Sequence, residues 1–155
     1  MRAIRIKTNK KNIIENIFNF CINRTELYFT KDNKRVFIDS EKQSKYLLKN
    51  SNPSFLCLEE GDIHGIVLLW KAKADDKERY YIKIDASNEE AAECLITVLL
   101  WNTDKKEIFI KIKKESFIIP ILKLKGFKFY HDRGKEILLR RKTYVPNTNI
   151  TSNNR

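Results

Sequence analysis

An α/β (α+β) architecture, with helices flanking one mixed and mostly antiparallel central sheet, is the arrangement expected of this 155-residue chain. Three observations lead to it. Runs such as "RAIRIK" and "YYIKID" alternate apolar and polar residues with the two-residue period of a half-buried strand, whereas "NIIENIFNFCI" repeats its apolar residues at helical spacing. Two strand-like runs, "SFLCLEE" and "GIVLLWKA", are separated by "GDIH", whose Gly61 and Asp62 supply turn chemistry, so they should form an antiparallel hairpin. Further on, strand, apolar helix and strand follow one another, which calls for a right-handed crossover and makes one strand pair parallel.

Taken in order, Ile4 and Ile6 mark a first strand with one buried face, and Ile13, Ile14, Ile17, Phe18 and Cys21 mark the buried stripe of a first helix. Residues 24–52 carry the weakest pattern, with a short hairpin turning at Asp32 and Asn33 and a helix near "SEKQSKYLLKN". The hairpin turning at Gly61 and Asp62 comes next, then a polar turn "KADDKE" and a third strand with Ile82 and Ile84 on one face and Tyr81, Lys83 and Asp85 on the other. Ser87 stands three residues before Glu90, the spacing of a capping box, and opens a helix that reaches about Trp101. Leu95, Ile96, Val98, Leu99 and Leu100 make it apolar on most sides, so it should be largely buried. In "KEIFIKIKK", Ile108, Ile110 and Ile112 alternate with Phe109, Lys111 and Lys113. A short helix opening at Pro120 and stopping at Gly126 follows, and then a closing hairpin of "FKFY" and "EILLRR" around "HDRG".

The 42% hydrophobic content suits one compact domain, placed at residues 1–142, with a polar tail, 143–155, expected to be disordered. No apolar run approaches the roughly 20 residues of a membrane span, and "MRAIRIKTNKKN" lacks the apolar centre of a signal peptide, so a cytoplasmic protein with no membrane partner is expected. Cys21, Cys57 and Cys94 lie far apart inside apolar patterns and read as buried thiols. With only His64 and His131 beside them and no C-x-x-C pair, no metal site is expected.

The formal net charge is +11, and residues 104–142 hold 13 Lys or Arg against 5 Asp or Glu. Such an excess is an electrostatic footprint for nucleic acid or an acidic protein, or else a codon bias toward Lys, Asn and Ile. Lys123, Lys125, Lys128, Arg133, Lys135, Arg140, Arg141 and Lys142 are the candidate contacts for an anionic partner. Phe129 and Tyr130 are possible stacking surfaces if exposed, and core residues otherwise.

Laid end to end, this order of elements resembles the GNAT superfamily of acyl-CoA-dependent N-acyltransferases over residues 1–142. "FLCLEEGDIHGIVLL" is similar to that family's second and third strands, and "ILKLKGFKFYHDRGKEILLRRK" to its closing segment. The resemblance implies acetyl-CoA or another acyl-CoA as cofactor, with its diphosphate on a turn of the form Arg/Gln-x-x-Gly-x-Gly/Ala at a helix N-terminus. The aligned stretch here, "DASNEEAAECL", has no glycine, Arg or Gln, and places Asp85, Glu89 and Glu90 where the diphosphate would lie. Leu122 occupies the position of the family's proton-donating tyrosine, and Glu115 that of an Asn often found seven residues earlier. A GNAT-like domain that has lost acetyl-CoA catalysis, needs no cofactor and acts as a basic binding or regulatory module is therefore the leading expectation. A divergent N-acyltransferase acting on an amine is the alternative, with Asp85 as base and Tyr81 beside it as catalytic candidates. Under it, Lys111 and Lys113 would attract the phosphates, since the family splays those two strands to admit the pantetheine arm.

Overall fold

In a computed structural model the protein is described for residues 1–6, 11–49, 54–74, 77–103 and 106–142. The expected disordered tail, 143–155, lies outside the described residues. The elements are β1 (Arg2–Arg5), α1 (Lys11–Cys21), β2 (Tyr28–Lys31), β3 (Lys34–Phe37), α2 (Glu41–Lys49), β4 (Ser54–Glu59), β5 (Asp62–Ala74), β6 (Lys77–Ala86), α3 (Glu89–Thr103), β7 (Glu107–Lys113), α4 (Ile118–Leu124), β8 (Lys128–Arg133) and β9 (Glu136–Arg141). Seven strands form one sheet in the order β1-β4-β5-β6-β7-β9-β8, and β2 and β3 pair as a separate ribbon. Within the sheet β6 and β7 run parallel and the other neighbours antiparallel.

Strand alternation divides the core in two. Val67, Leu69, Ile82, Ile84, Ile108, Ile110 and Ile112 face α3 and α4, while Leu56, Ile66 and Leu68 face α1 and α2, with Ile17, Cys21, Leu27 and Leu48 against them. The β2–β3 ribbon turns at Asp32 and Asn33, both left-handed (φ 53° and 63°), as a two-residue hairpin turn matched to the strand twist requires. The β4–β5 turn sits one residue earlier than its glycine suggests, at Glu60 and Gly61 (φ 52° and 85°). Gly65 then lets α3 approach the sheet: a Cβ there would lie 2.7 Å from Leu95 Cδ1 and 3.2 Å from Ala86 Cβ.

Two sequence expectations at helix starts are corrected. Asn88, not Ser87, caps α3, because Asn88 Oδ1 accepts the Ala91 N–H at 2.8 Å and the Asn88 carbonyl accepts that of Ala92 at 3.2 Å. Ser87 is committed elsewhere, its N–H donating to the His64 carbonyl at 2.8 Å. Pro120 occupies the third rather than the first position of α4. That helix ends as expected at Gly126 (φ 98°), with Phe127 N–H on the Leu122 carbonyl and Gly126 N–H on the Lys123 carbonyl, a paired closure that satisfies two final carbonyls. Helix α3 is buried along Ala91, Ala92, Leu95, Ile96 and Leu99 but not all round, since Trp101 on its outer side is 81% exposed.

Asn88→Ala should lower stability by about 0.5 to 2 kcal/mol, and Ser87→Ala by less, because only Asn88 supplies a side-chain acceptor to the first turn. Urea denaturation midpoints of the two variants check this, and the reverse order would restore Ser87 as the cap.

Candidate ligand cavity and strand gap

The parallel pair is short. Register partners run from Arg79↔Glu107 to Ile82↔Ile110, after which β6 continues beside β5 as far as Ala86 and β7 beside β9 as far as Lys113. The two strands therefore part, leaving a gap between Lys83–Ala86 and Lys111–Lys113. Residues 24–26, from the connection between α1 and β2, bridge it. Asn23, left-handed at φ 68°, ends α1, and Arg24 follows with its N–H on the Cys21 carbonyl at 3.0 Å. The Arg24 guanidinium lies 3.9 Å from the Phe20 ring centroid, pairs with Asp85 at 3.3 Å and donates to Ser87 Oγ at 3.2 Å. On the other side Lys113 Nζ donates to Thr25 Oγ1, and the Lys113 N–H reaches Glu26 Oε2 at 3.5 Å. Burial raises the Asp85 pKa, opposed chiefly by Arg24, and burial likewise raises that of Glu26 against the Lys113 N–H. This bridge holds the carboxyls of Asp85 and Glu26 half-desolvated, so each depends on its partner.

Beside the gap, on the sheet face shared with α1 and α2, lies a cavity of about 510 Å³. Its floor is a row of register neighbours, Trp70 on β5, Tyr81 on β6 and Phe109 on β7, with Tyr130 of β8 set edgewise against Phe109 at 5.4 Å. The Tyr81 and Phe109 rings stack at 5.4 Å, and Phe109 is covered while Tyr81 and Tyr130 stay 39% and 48% exposed. Two residues further along the strands the lining becomes cationic, with Lys83 and Lys111 on opposite sides of the gap and Arg133 beyond them. No carboxylate lines the cavity, and none of these three cations forms an ion pair among the described residues. Arg79, at the other end, is held by Glu107 at 3.1 Å. Tyr28, on the wall formed by β2, takes Lys83 Nζ 3.4 Å from its ring centroid and carries a buried hydroxyl with no partner among the described residues.

The residues singled out in the sequence separate into three places. Tyr81, Lys111 and Arg133 line the cavity; Asp85 and Lys113 hold the bridge across the gap. The basic C-terminal residues divide between the two faces of the sheet. Arg140 neighbours Phe109 and Lys128 in register, lies 4.5 Å from the Tyr130 ring centroid and pairs with Glu107 at 3.6 Å. Arg141 turns to the α4 side, where its Nε donates to the Lys125 carbonyl at 3.0 Å, and Lys125 itself pairs with Glu93 at 3.8 Å. Lys123, Lys135 and Lys142 are exposed, as is Phe129, whose register neighbour Leu139 faces α4. Arg140 and Arg141, both candidate contacts for an anionic partner, are thus partly buried and partnered within the protein. Arg24, Tyr28, Trp70 and Arg79 went unread in the sequence. For Trp70 a signal existed, since it shares the strand parity of Leu68 and Ile66.

Among the described residues no cluster of His, Cys, Asp or Glu is placed to hold a metal ion, and no helix is long and apolar enough to cross a membrane. Cys21 and Cys57 are buried, Cys94 partly so, and burial pushes the thiols of Cys21 and Cys57 up to about 12.

No protein-family model matches the chain, and no curated protein matches it in sequence. Solved structures do. An acetyltransferase of the GNAT family from Streptococcus pneumoniae superposes with a TM-score of 0.65 at 12% identity, over 90% of this chain and 98% of that one. An N-acetyltransferase from Staphylococcus aureus Mu50 gives 0.63 at 15% identity, over 93% and 100%. An aminoglycoside 6′-acetyltransferase type Ii gives 0.64 at 9% identity, over 94% and 99%. The chain has the GNAT acetyltransferase fold, as its element order suggested; at such identities the likeness is one of fold.

Burial holds the Lys83 ammonium down to about 8, with Lys111 and Arg35 adding repulsion and Glu26 and Glu136 opposing it. An unfolded lysine keeps its proton to the usual 10.5, so between about 8 and 10.5 the unfolded chain binds more protons and stability rises with pH. Below about 8 the folded protein carries the full cost of a crowded ammonium. Lys83→Met should therefore raise stability at pH 7, by roughly 1 to 3 kcal/mol, with the gain shrinking through that window. Urea unfolding at pH 7 and pH 10 checks this; an undiminished gain at pH 10 would contradict it.

Proposed function

We propose that this GNAT-fold chain does not use acyl-CoA and serves as a binding or regulatory module that holds an anionic partner on the cavity face of its sheet. The observation that carries the reading is the bridge of residues 24–26, which ties Arg24 to Asp85 on one strand and Thr25 and Glu26 to Lys113 on the other. A pantetheine arm laid between those strands would have to displace it, stranding two half-buried carboxyls. The turn before α3 fits a diphosphate no better. Its Ala86, Ser87 and Ala91 N–H groups already donate to Asp85 Oδ1, the His64 carbonyl and Asn88 Oδ1. Glu89 and Glu90 stand exposed in the first helical turn, and each carboxylate within about 4 Å of a phosphate charge costs on the order of 1 kcal/mol even in water. Leu122, where the resemblance puts a proton donor, is fully buried in the apolar core.

The anionic partner is supported by the balance of charge at the cavity, where Lys83, Lys111 and Arg133 form no ion pair among the described residues and no carboxylate is in the lining, while Lys128 and the Glu107-paired Arg140 extend the same face along β8 and β9. Lys123, Lys125 and Arg141, on the α4 side, fall outside this surface. A nucleic acid or an acidic protein would meet its field.

Calorimetric titration with acetyl-CoA and with coenzyme A should give no saturable binding at micromolar concentrations. Micromolar affinity accompanied by release of free thiol in the presence of an amine would overturn the reading and establish the divergent N-acyltransferase instead. Arg24→Ala, which removes the bridge's cation, is the variant in which any residual affinity for the cofactor should rise.

A further inference from the structure

We propose that the cavity accepts a nucleotide unit, its base laid against Tyr81 and Tyr130 and its phosphate drawn to Lys83, Lys111 and Arg133. The inference deepens the binding-module reading and rests on it, naming the chemistry of the anionic partner. Three features of the cavity lead there. Its exposed aromatic surface belongs to two tyrosines, one on β6 and one on β8, set around a covered Phe109, so that a planar ring finds faces and edges rather than an aliphatic wall. Two of its unpaired cations, Lys83 and Lys111, lie two residues along from Tyr81 and Phe109, about 7 Å at the rise of a strand, a separation comparable to that between a nucleobase and its own 5′-phosphate. Its volume, about 510 Å³, accommodates one such unit and not a folded helix of nucleic acid.

The cationic end is also built to need an anion. Lys83 and Lys111 lie on opposite sides of the gap with no carboxylate in ion-pair contact, the fields of Glu26 and Glu136 offsetting only part of their repulsion, and Lys83 rests on the Tyr28 ring, beside a buried hydroxyl that still has a hydrogen bond to give. A phosphate bound there relieves the repulsion between the two ammonium groups and favours the charged form of Lys83 that burial disfavours. Affinity should therefore weaken as pH rises past about 8, where free Lys83 loses its proton.

The test uses the full chain at about 50 mM salt, where electrostatic binding is strong. Adenosine 5′-monophosphate, adenosine, inorganic phosphate and a nine-residue single-stranded oligoadenylate are titrated separately by calorimetry. The monophosphate should bind at least tenfold more tightly than adenosine or phosphate alone. Lys111→Gln and Arg133→Gln should each weaken it severalfold while leaving the thermal midpoint in place. Tyr81→Leu, which keeps an apolar contact on Phe109, should weaken the monophosphate and leave inorganic phosphate unchanged. A strand that binds more tightly than the monophosphate, with a logarithmic salt slope reduced by roughly 0.7 for each lost cation, identifies the source as single-stranded nucleic acid; equal affinities identify a free nucleotide. Absence of binding by both monophosphate and strand at about 1 mM, or binding that ignores Lys111→Gln and Arg133→Gln, overturns the inference. Coenzyme A itself carries a nucleotide, so competition separates the two readings. If acetyl-CoA binds and is displaced by the monophosphate without thiol release, its nucleotide end is in the cavity and the inference stands. If it binds without competition and releases thiol, the binding-module reading fails, and the inference that rests on it fails with it.

Discussion

The parting of β6 and β7 after Ile82 and Ile110 is the constraint from which the site follows. A parallel pair in this sheet requires the α3 crossover, and Gly65 brings that helix so close that Leu95 and the end of β6 are fixed relative to β5. Strand β6 then follows β5 while β7 follows β9, and the backbone between them loses its ladder. Buried polar groups left in such a gap must find partners. Here they come from the connection after α1: Glu26 approaches the Lys113 N–H, and Arg24 joins Asp85 to Ser87. The connection at residues 24–26 is thereby held by both sides of the sheet.

The same divergence creates the crowding of Lys83 and Lys111. Their positions are two residues beyond Tyr81 and Phe109, which do pair, so the like charges face each other where the ladder has opened. Had the pairing continued, two ammonium groups would stand on neighbouring strands about 4.8 Å apart. The opening reduces that repulsion without removing it, and burial of Lys83 against the Tyr28 ring adds the larger part of its cost.

Much of this was legible in single strands and little of it between them. Alternation in "YYIKID" and "KEIFIKIKK" placed Tyr81, Lys83, Asp85, Lys111 and Lys113 on the face opposite Ile82 and Ile110, because a two-residue period needs no tertiary information. The Asp32–Asn33 turn was legible for the same reason, since the left-handed backbone of a tight hairpin favours those residues locally. The α3 cap was not, because Ser87 and Asn88 are equally able to cap; the choice is made by the His64 carbonyl and by Arg24, residues 23 and 63 positions away. The cavity was invisible as a whole. Tyr28, Trp70, Tyr81, Phe109 and Tyr130 come from five strands, and nothing in the spacing of one reports the others.

The basic C-terminal segment shows how net charge misleads when a strand carries it. Consecutive residues on β9 point to opposite faces, so Arg140 goes to the Tyr130 ring and Glu107 while Arg141 goes to the end of α4, and one run of cations serves two unrelated surfaces. The acidic turn before α3 invites the complementary argument. In a gap that must be filled, the carboxylate at position 85 gives Arg24 a partner, and Arg24 in turn pins the connection that covers the gap. The acidic turn and the closure of the strand gap are then two sides of one electrostatic arrangement. Asp85 faces the gap and holds the side chain that keeps it closed.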